Sequence, residues 1–318
     1  MVQRKKIELK REENQITFDR LFDEFIVYQK SKNLRQHTIK HYENTVNSSF
    51  YKYIDCKTEV KNITSKTIEG YINFLKSRGN IGDVTINTYL RDIRAILYYA
   101  MKEGYLAEYK IKQIKADKEI IETYTDEELI ILLKKPDVKK CNFIEFRNWT
   151  ISNILIGTGM RIQTLVNIKI EDIDLSNDLI YYSHTKNRKN QVVPISSTLK
   201  SVLIDYLKYR KGEEEDYLIT NIYGEQLKTN LLSQNMCKYH RSRGITKTGL
   251  HRYRHTFAKK WILNNGDIFR LQKILGHSSM DIVREYVEMF TEDLQRDFNI
   301  FNPLESLSIR KTSIKMRV

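Results

Sequence analysis

Residues 251–277 read HRYRHTFAKKWILNNGDIFRLQKILGH, and the reading of this stretch decides the fold. Apolar spacing predicts one helix over 251–264 and a second over 267–275, with Gly276 as the C-terminal cap of the second. On the first helix His251 and Arg254 are three residues apart, so both side chains face one point. His255 lies on the same side, one residue further along. Ser278 and Asp281 resemble a capping box for a following helix over 280–290. His277 is therefore expected in a tight corner between two helices, where an imidazole ring is held rigidly.

Outward from this stretch, two further residues join the set. Tyr286 follows on a stripe shared with Ile282, Val283, Val287 and Phe290. Upstream, a buried helix over 143–158 is expected to end at Gly157-Thr158-Gly159, whose glycines allow a tight turn just before Arg161. Taken singly, these are a basic helix face, an arginine after a turn and a core tyrosine. Taken together, their types describe a phosphate-handling site. Guanidinium groups grip phosphate oxygens through a planar fork. Histidine moves a proton near neutral pH. A deprotonated tyrosine can attack phosphorus and form a covalent phosphotyrosine. No Walker loop and no grouped metal-binding carboxylates occur in the sequence, so neither a metal nor another cofactor is expected and cationic side chains stand in for a metal.

Composition points to a polyanionic partner. The 318 residues carry a net charge of +14, with a sequence pI of about 9.4. Residues 1–115 hold 22 Lys+Arg against 14 Asp+Glu (+8), and the remainder 32 against 26 (+6), so both halves are basic. DNA or RNA fits this better than an anionic membrane. Cys56, Cys141 and Cys237 are odd in number and far apart, which suggests neither a disulfide framework nor a zinc site. A reducing, cytoplasmic location is expected. The start of the chain lacks the apolar core of a signal peptide, and no apolar run approaches a membrane span.

With 12 Gly and 3 Pro among 318 residues, mostly helix is expected. Helices are expected to start near Thr17 and Thr38, and to cover 68–78 and 85–103. The last carries a stripe of Ile86, Tyr89, Leu90, Ile93, Ile96, Leu97, Ala100 and Met101. Residues 110–123 are charged, lack a long apolar stripe and read as a linker. Thr125-Asp126-Glu127-Glu128 matches a capping box that opens the next helix. The β-rich runs 179–183 and 191–195 flank Thr185-Lys186-Asn187-Arg188-Lys189-Asn190, a hairpin with a basic tip. Helices over 199–207 and 230–243 complete the pattern. The fold class is mainly α with a small antiparallel β-sheet. The expected organisation is a basic tail over 1–15, a helical domain over 16–109, the linker over 110–123, an α+β domain over 124–302 and a basic tail over 303–318.

Gly157-Thr158-Gly159-Met160-Arg161, then His251-x-x-Arg254-His255, Leu275-Gly276-His277 and Tyr286, in that order, closely resemble the boxes of the tyrosine recombinases, or phage-integrase family. The resemblance runs from about residue 16 to 302. It implies a helical, SAM-like core-binding domain followed by a catalytic domain, the two clamping double-stranded DNA at a specific core site. It implies Tyr286 as nucleophile, and Arg161 and Arg254 on the non-bridging oxygens of the scissile phosphate. His251 and His277 would hydrogen-bond the same phosphate, with His251 a candidate acceptor of the tyrosine proton. Lys186 matches the family's lysine that protonates the departing 5′ oxygen, and Lys189 is the alternative in the same loop. One departure stands out: Thr164 occupies a position where the family commonly has an acid, and offers only a neutral hydrogen bond.

The implied activity is site-specific DNA recombination or integration for a phage or mobile element, through a 3′-phosphotyrosine and without a high-energy cofactor. Alternatives with the same fold are a type IB topoisomerase-like relaxing enzyme and a non-catalytic DNA-binding regulator. Thr85, Asn87, Arg91 and Arg94, on a polar and basic helix face, are the candidate base readers. Leu294, Phe298 and Phe301 form a possible docking stripe, in cis or onto a neighbouring protomer of a homotetramer assembled on two DNA sites. Accessory factors are compatible with this scheme. Residues 1–15 are expected to be too short for a separate arm-binding domain.

Overall fold

The computed structural model describes residues 16–117, 122–182 and 191–276. The chain divides into two units, Met1–Glu119 and Ile120–Val318, each with its own apolar core. The division falls inside the stretch read from the sequence as a connection.

Among the described residues the first unit has four α-helices: α1 (Phe18–Ser31), α2 (Gln36–Ser48), α3 (Ser65–Ser77) and α4 (Asp83–Lys102). Each follows from an apolar stripe of helical period. On α1 the stripe is Phe18, Leu21, Phe22, Phe25 and Ile26, and on α4 it is Ile86, Leu90, Ile93, Ile96, Leu97 and Ala100; all are buried. Aromatic edges lock the helices together, as where Phe25 meets Tyr42 edge-on at 5.1 Å. After α4 the chain packs back onto this core through Leu106 and Ile111. The Asn87 side chain fastens that return: its amide donates to Ile114 O (2.9 Å) and accepts from Ile114 N–H (3.0 Å).

The second unit is built around α6 (Phe143–Thr158). It follows α5 (Asp126–Leu133), whose expected capping box forms between Thr125 and Glu128. Packed by neighbours on several sides, α6 buries even Arg147, Asn148, Thr150 and Ser152. Thr150 and Ser152 satisfy their hydroxyls by donating to the carbonyls of Phe146 and Asn148. A four-residue α7 (Ile162–Leu165) precedes a meander of β1 (Ile173–Asp174), β2 (Leu179–Tyr182) and β3 (Gln191–Pro194), paired antiparallel in that order. Ile180, Tyr182 and Val193 face inward, while Tyr181 and Val192 face out, following the two-residue period of a strand. α8 (Ser197–Arg210), α9 (Thr229–Ser242), α10 (His251–Leu263) and α11 (Ile268–Leu275) follow.

Most sequence expectations agree to within a few residues. β1 and α7 were not anticipated, because two and four residues are too few to show a period. The expected helix over 280–290, the hairpin tip and both tails lie outside the described residues. No described helix is long and apolar enough to cross a membrane.

The inward side of α10 rests on a polar triad. Tyr253 donates its hydroxyl hydrogen to Ser152 Oγ (2.9 Å), and its oxygen lies 3.0 Å from His240 Nε2. His240 is fully buried, which lowers its pKa to about 4. Below about pH 6.5 the unfolded chain binds a proton on this residue that the folded chain refuses. Stability from this group is therefore full above pH 6.5 and falls as pH drops toward 4, by about 3 kcal/mol in total. Urea unfolding at pH 7 and pH 4.5 checks this: the loss in wild type should shrink by roughly 2–3 kcal/mol in His240→Gln. An equal loss in both proteins would contradict it.

Candidate active site

α6 ends at Gly159, whose backbone is left-handed (φ 62°). A Cβ there would lie 2.6 Å from the Phe257 ring and 2.7 Å from Leu275 Cδ2, so both conformation and space require glycine. The turn delivers Arg161 to the start of α7 in an extended conformation, half-exposed. Among the described residues, no hydrogen bond or ion pair engages its guanidinium. Thr164 is buried one turn later, and its backbone N–H donates to Arg161 O (2.9 Å).

α10 presents two faces. Tyr253 and Thr256 point into the core, while His251, Arg254 and His255 share the other side. Arg254 is nevertheless only 2% exposed. Its Nη1 donates to Gly159 O (2.9 Å) and its Nη2 to Leu275 O (2.8 Å). Both acceptors lie at helix C-termini, where carbonyls lack intrahelical partners and carry partial negative charge. One guanidinium thus ties the turn before Arg161 to the turn before His277. A guanidinium has five N–H groups, so these two bonds do not exhaust it.

The rings of His251 and His255 meet edge-on at 4.8 Å. His251 has its pKa lowered by packing against protein, and further by His255, Arg254 and Arg161. His251 lies exposed at the start of α10, and the lowered pKa keeps its imidazole neutral at pH 7. His255 is shifted the same way by burial, then by Arg254 and Arg252. Burial pushes the Tyr182 phenol up to about 12, opposed by Arg254 and Arg161. The same two arginines therefore act on the end of β2 and on His251.

Arg161, His251 and Arg254 are brought to one place. Lys186, Lys189, His277 and Tyr286 lie outside the described residues, although the strands flanking the Lys186 loop and the helix end before His277 are described. Gly276 caps α11 in the left-handed region (φ 63°), as expected, immediately before His277. Tyr182 and its strand partner Gln191 were missed by sequence reading, which registered them only as strand residues.

Among the candidate base readers on α4, Thr85 and Arg91 are exposed and Arg94 is half-buried. Arg91 donates to Thr88 Oγ1 (3.3 Å). Asn87 is a correction: both ends of its amide are committed to Ile114, an internal fastening in place of an exposed reader. The second unit carries a groove of mixed character, where Gln163, Asn167, Lys228, Asn230 and Gln234 stand beside Val166, Leu227 and Leu231, that sequence reading did not find.

A family model described as the phage integrase family matches residues 111–292, more than half of the chain, and one described as the phage integrase SAM-like domain matches residues 17–117. The chain belongs to the phage integrase family, that of the tyrosine-type site-specific DNA recombinases. Among its relatives, the tyrosine recombinase XerD of Staphylococcus haemolyticus is 26% identical over 294 residues, covering 89% of this chain and 98% of the relative. XerD of Staphylococcus saprophyticus is 24% identical over 300 residues, covering 90% and 99%. Two solved structures share the fold. The Tn1549 transposon integrase in complex with a circular intermediate DNA has a TM-score of 0.71 at 19% identity, covering 85% of this chain and 94% of that one. A lambda integrase tetramer bound to a Holliday junction has a TM-score of 0.68 at 18% identity, covering 86% and 78%.

Proposed function

We propose that this recombinase cleaves and rejoins DNA through a covalent bond between Tyr286 and a 3′ phosphate. The observation that carries the reading is the convergence of Arg161, at the start of α7, with Arg254 and a neutral His251 on α10, the Arg161 fork making no hydrogen bond or ion pair among the described residues. Arg161 and Arg254 take the non-bridging oxygens and stabilise the charge that grows on them. His251 accepts the proton of the Tyr286 hydroxyl, and its lowered pKa keeps it in the accepting form. His277 donates to the same phosphate. The tyrosine oxygen bonds to phosphorus, the bond to the 5′ oxygen breaks, and Lys186 gives that oxygen a proton. The phosphodiester energy is retained in the phosphotyrosine, so a new 5′-hydroxyl can reverse the step without ATP.

The partner is double-stranded DNA gripped by both basic units, largely through its phosphates. Base reading falls to Thr85, Arg91 and Arg94 in the first unit, and to exposed Gln163, Asn230 and Gln234 in the second. Carboxamides suit the N6/N7 edge of adenine. We place four copies on two core sites, and assign the reaction as the strand exchange common to chromosomal, phage and transposon recombinases.

A nicked duplex whose cleaved end diffuses away tests the reading. Wild type should accumulate a protein–DNA adduct on its cognate site, and Tyr286→Phe should bind that DNA without forming any. An adduct with Tyr286→Phe would remove Tyr286 from the mechanism.

A further inference from the structure

Three successive carbonyls close α11, and side chains from two other elements hold all three. Arg254 takes Leu275 O, as described above. Lys273 O (2.9 Å) and Ile274 O (2.5 Å) both accept from the side-chain Nε2 of Gln191. A carboxamide nitrogen carries two hydrogens, so a single side chain can serve both acceptors. The fit needs glycine at 276, since a Cβ there would come within 2.3 Å of Gln191 Oε1.

Gln191 is also the first residue of β3, paired across the hairpin with Tyr182. Tyr182 is buried and lies within the electrostatic reach of both Arg161 and Arg254. The root of the hairpin therefore stands at the site, and all eight residues from 183 to 190, Lys186 among them, leave and return through this one pair. The other end of the Gln191 contact is the turn from which the chain proceeds to His277.

We propose that Gln191 is a positioning residue for strand cleavage: its carboxamide fixes the hairpin root to the end of α11 and so sets where the leaving-group acid arrives. The proposal rests on the reading of Lys186 as that acid. Gln191 touches no reacting atom. Its effect comes through geometry, where a displacement of about 1 Å can cost on the order of 100-fold in rate.

The test separates positioning of the acid from general damage. Two nicked duplexes are compared in single-turnover cleavage at saturating protein. One carries the natural 5′ oxygen at the cleaved bond, the other a 5′-bridging sulfur. A thiol has a pKa of about 8.5 and leaves as thiolate, whereas an alkoxide needs a proton. Lys186→Ala should be slow on oxygen and recover on sulfur. If it does not recover, the Lys186 assignment has failed, whatever Gln191 does. Gln191→Met keeps the length and loses both donors. It should bind DNA within about threefold of wild type, cleave the oxygen substrate at least about 10-fold more slowly, and return to within about threefold on sulfur. Full-rate cleavage of the oxygen substrate would overturn the proposal, and so would an equal defect on both substrates. If Gln191→Met does not fold, Gln191→Glu, whose carboxylate also cannot donate, goes through the same comparison with the same criteria.

Discussion

Replacing Arg161 with alanine will leave a folded protein that has almost lost strand cleavage. The side chain is half-exposed and makes no hydrogen bond or ion pair among the described residues, so its removal strands no hydrogen-bond partner among them. Stability should change by no more than about 0.5 kcal/mol, as for other surface positions. The chemical step should respond very differently. A preorganised donor aimed at a developing oxyanion is typically worth about 2.7–4 kcal/mol, or roughly 100- to 1,000-fold in rate. Arg161→Lys should recover only part of this, because an ammonium is a point charge and cannot span two phosphate oxygens. Thermal unfolding together with single-turnover cleavage measures both quantities. A large drop in melting temperature would mean that Arg161 has an internal partner. Undiminished cleavage would mean that it does not face the phosphate.

Arg254→Ala should fail in both respects. The guanidinium is buried and donates to Gly159 O and Leu275 O, so its loss leaves two carbonyls without these donors and opens a void. Each unsatisfied buried acceptor costs about 1–3 kcal/mol, and the total expected loss is about 3–5 kcal/mol. Cleavage should fall at least as far as in Arg161→Ala, because the two released turns precede Arg161 and His277. Arg254→Lys keeps the charge, yet one ammonium cannot reproduce a fork bonded to two separate helix ends. It should lose stability by an intermediate amount and remain poor in cleavage. Equal denaturant midpoints for Arg254→Ala and wild type would contradict the clamp.

These two arginines show how far the sequence could be read. Both were singled out in the sequence as candidate phosphate ligands by type, order and the glycine turn, and the expectations for α1 and α4 followed from periodicity. The sequence did not reveal that Arg254 also joins two helix ends, because neither Gly159 nor Leu275 is near it along the chain. Asn87 illustrates the opposite error: a polar residue on a polar face looked available, but Ile114 takes both ends of its amide. Gln191 and Tyr182 looked like ordinary strand residues. Their importance lies in cross-strand register and in a contact with α11, neither of which has a local signature. β1 and α7 were too short to show a period, and both exist through pairing and packing with neighbours.

The central claim, that two arginines and a neutral histidine serve attack by Tyr286, is tested most directly by mapping the covalent bond. The adduct trapped on a nicked duplex would be digested with protease and nuclease, and the modified peptide sequenced by mass spectrometry. The account predicts a nucleotide attached through phosphate to Tyr286. Attachment to any other residue would contradict it.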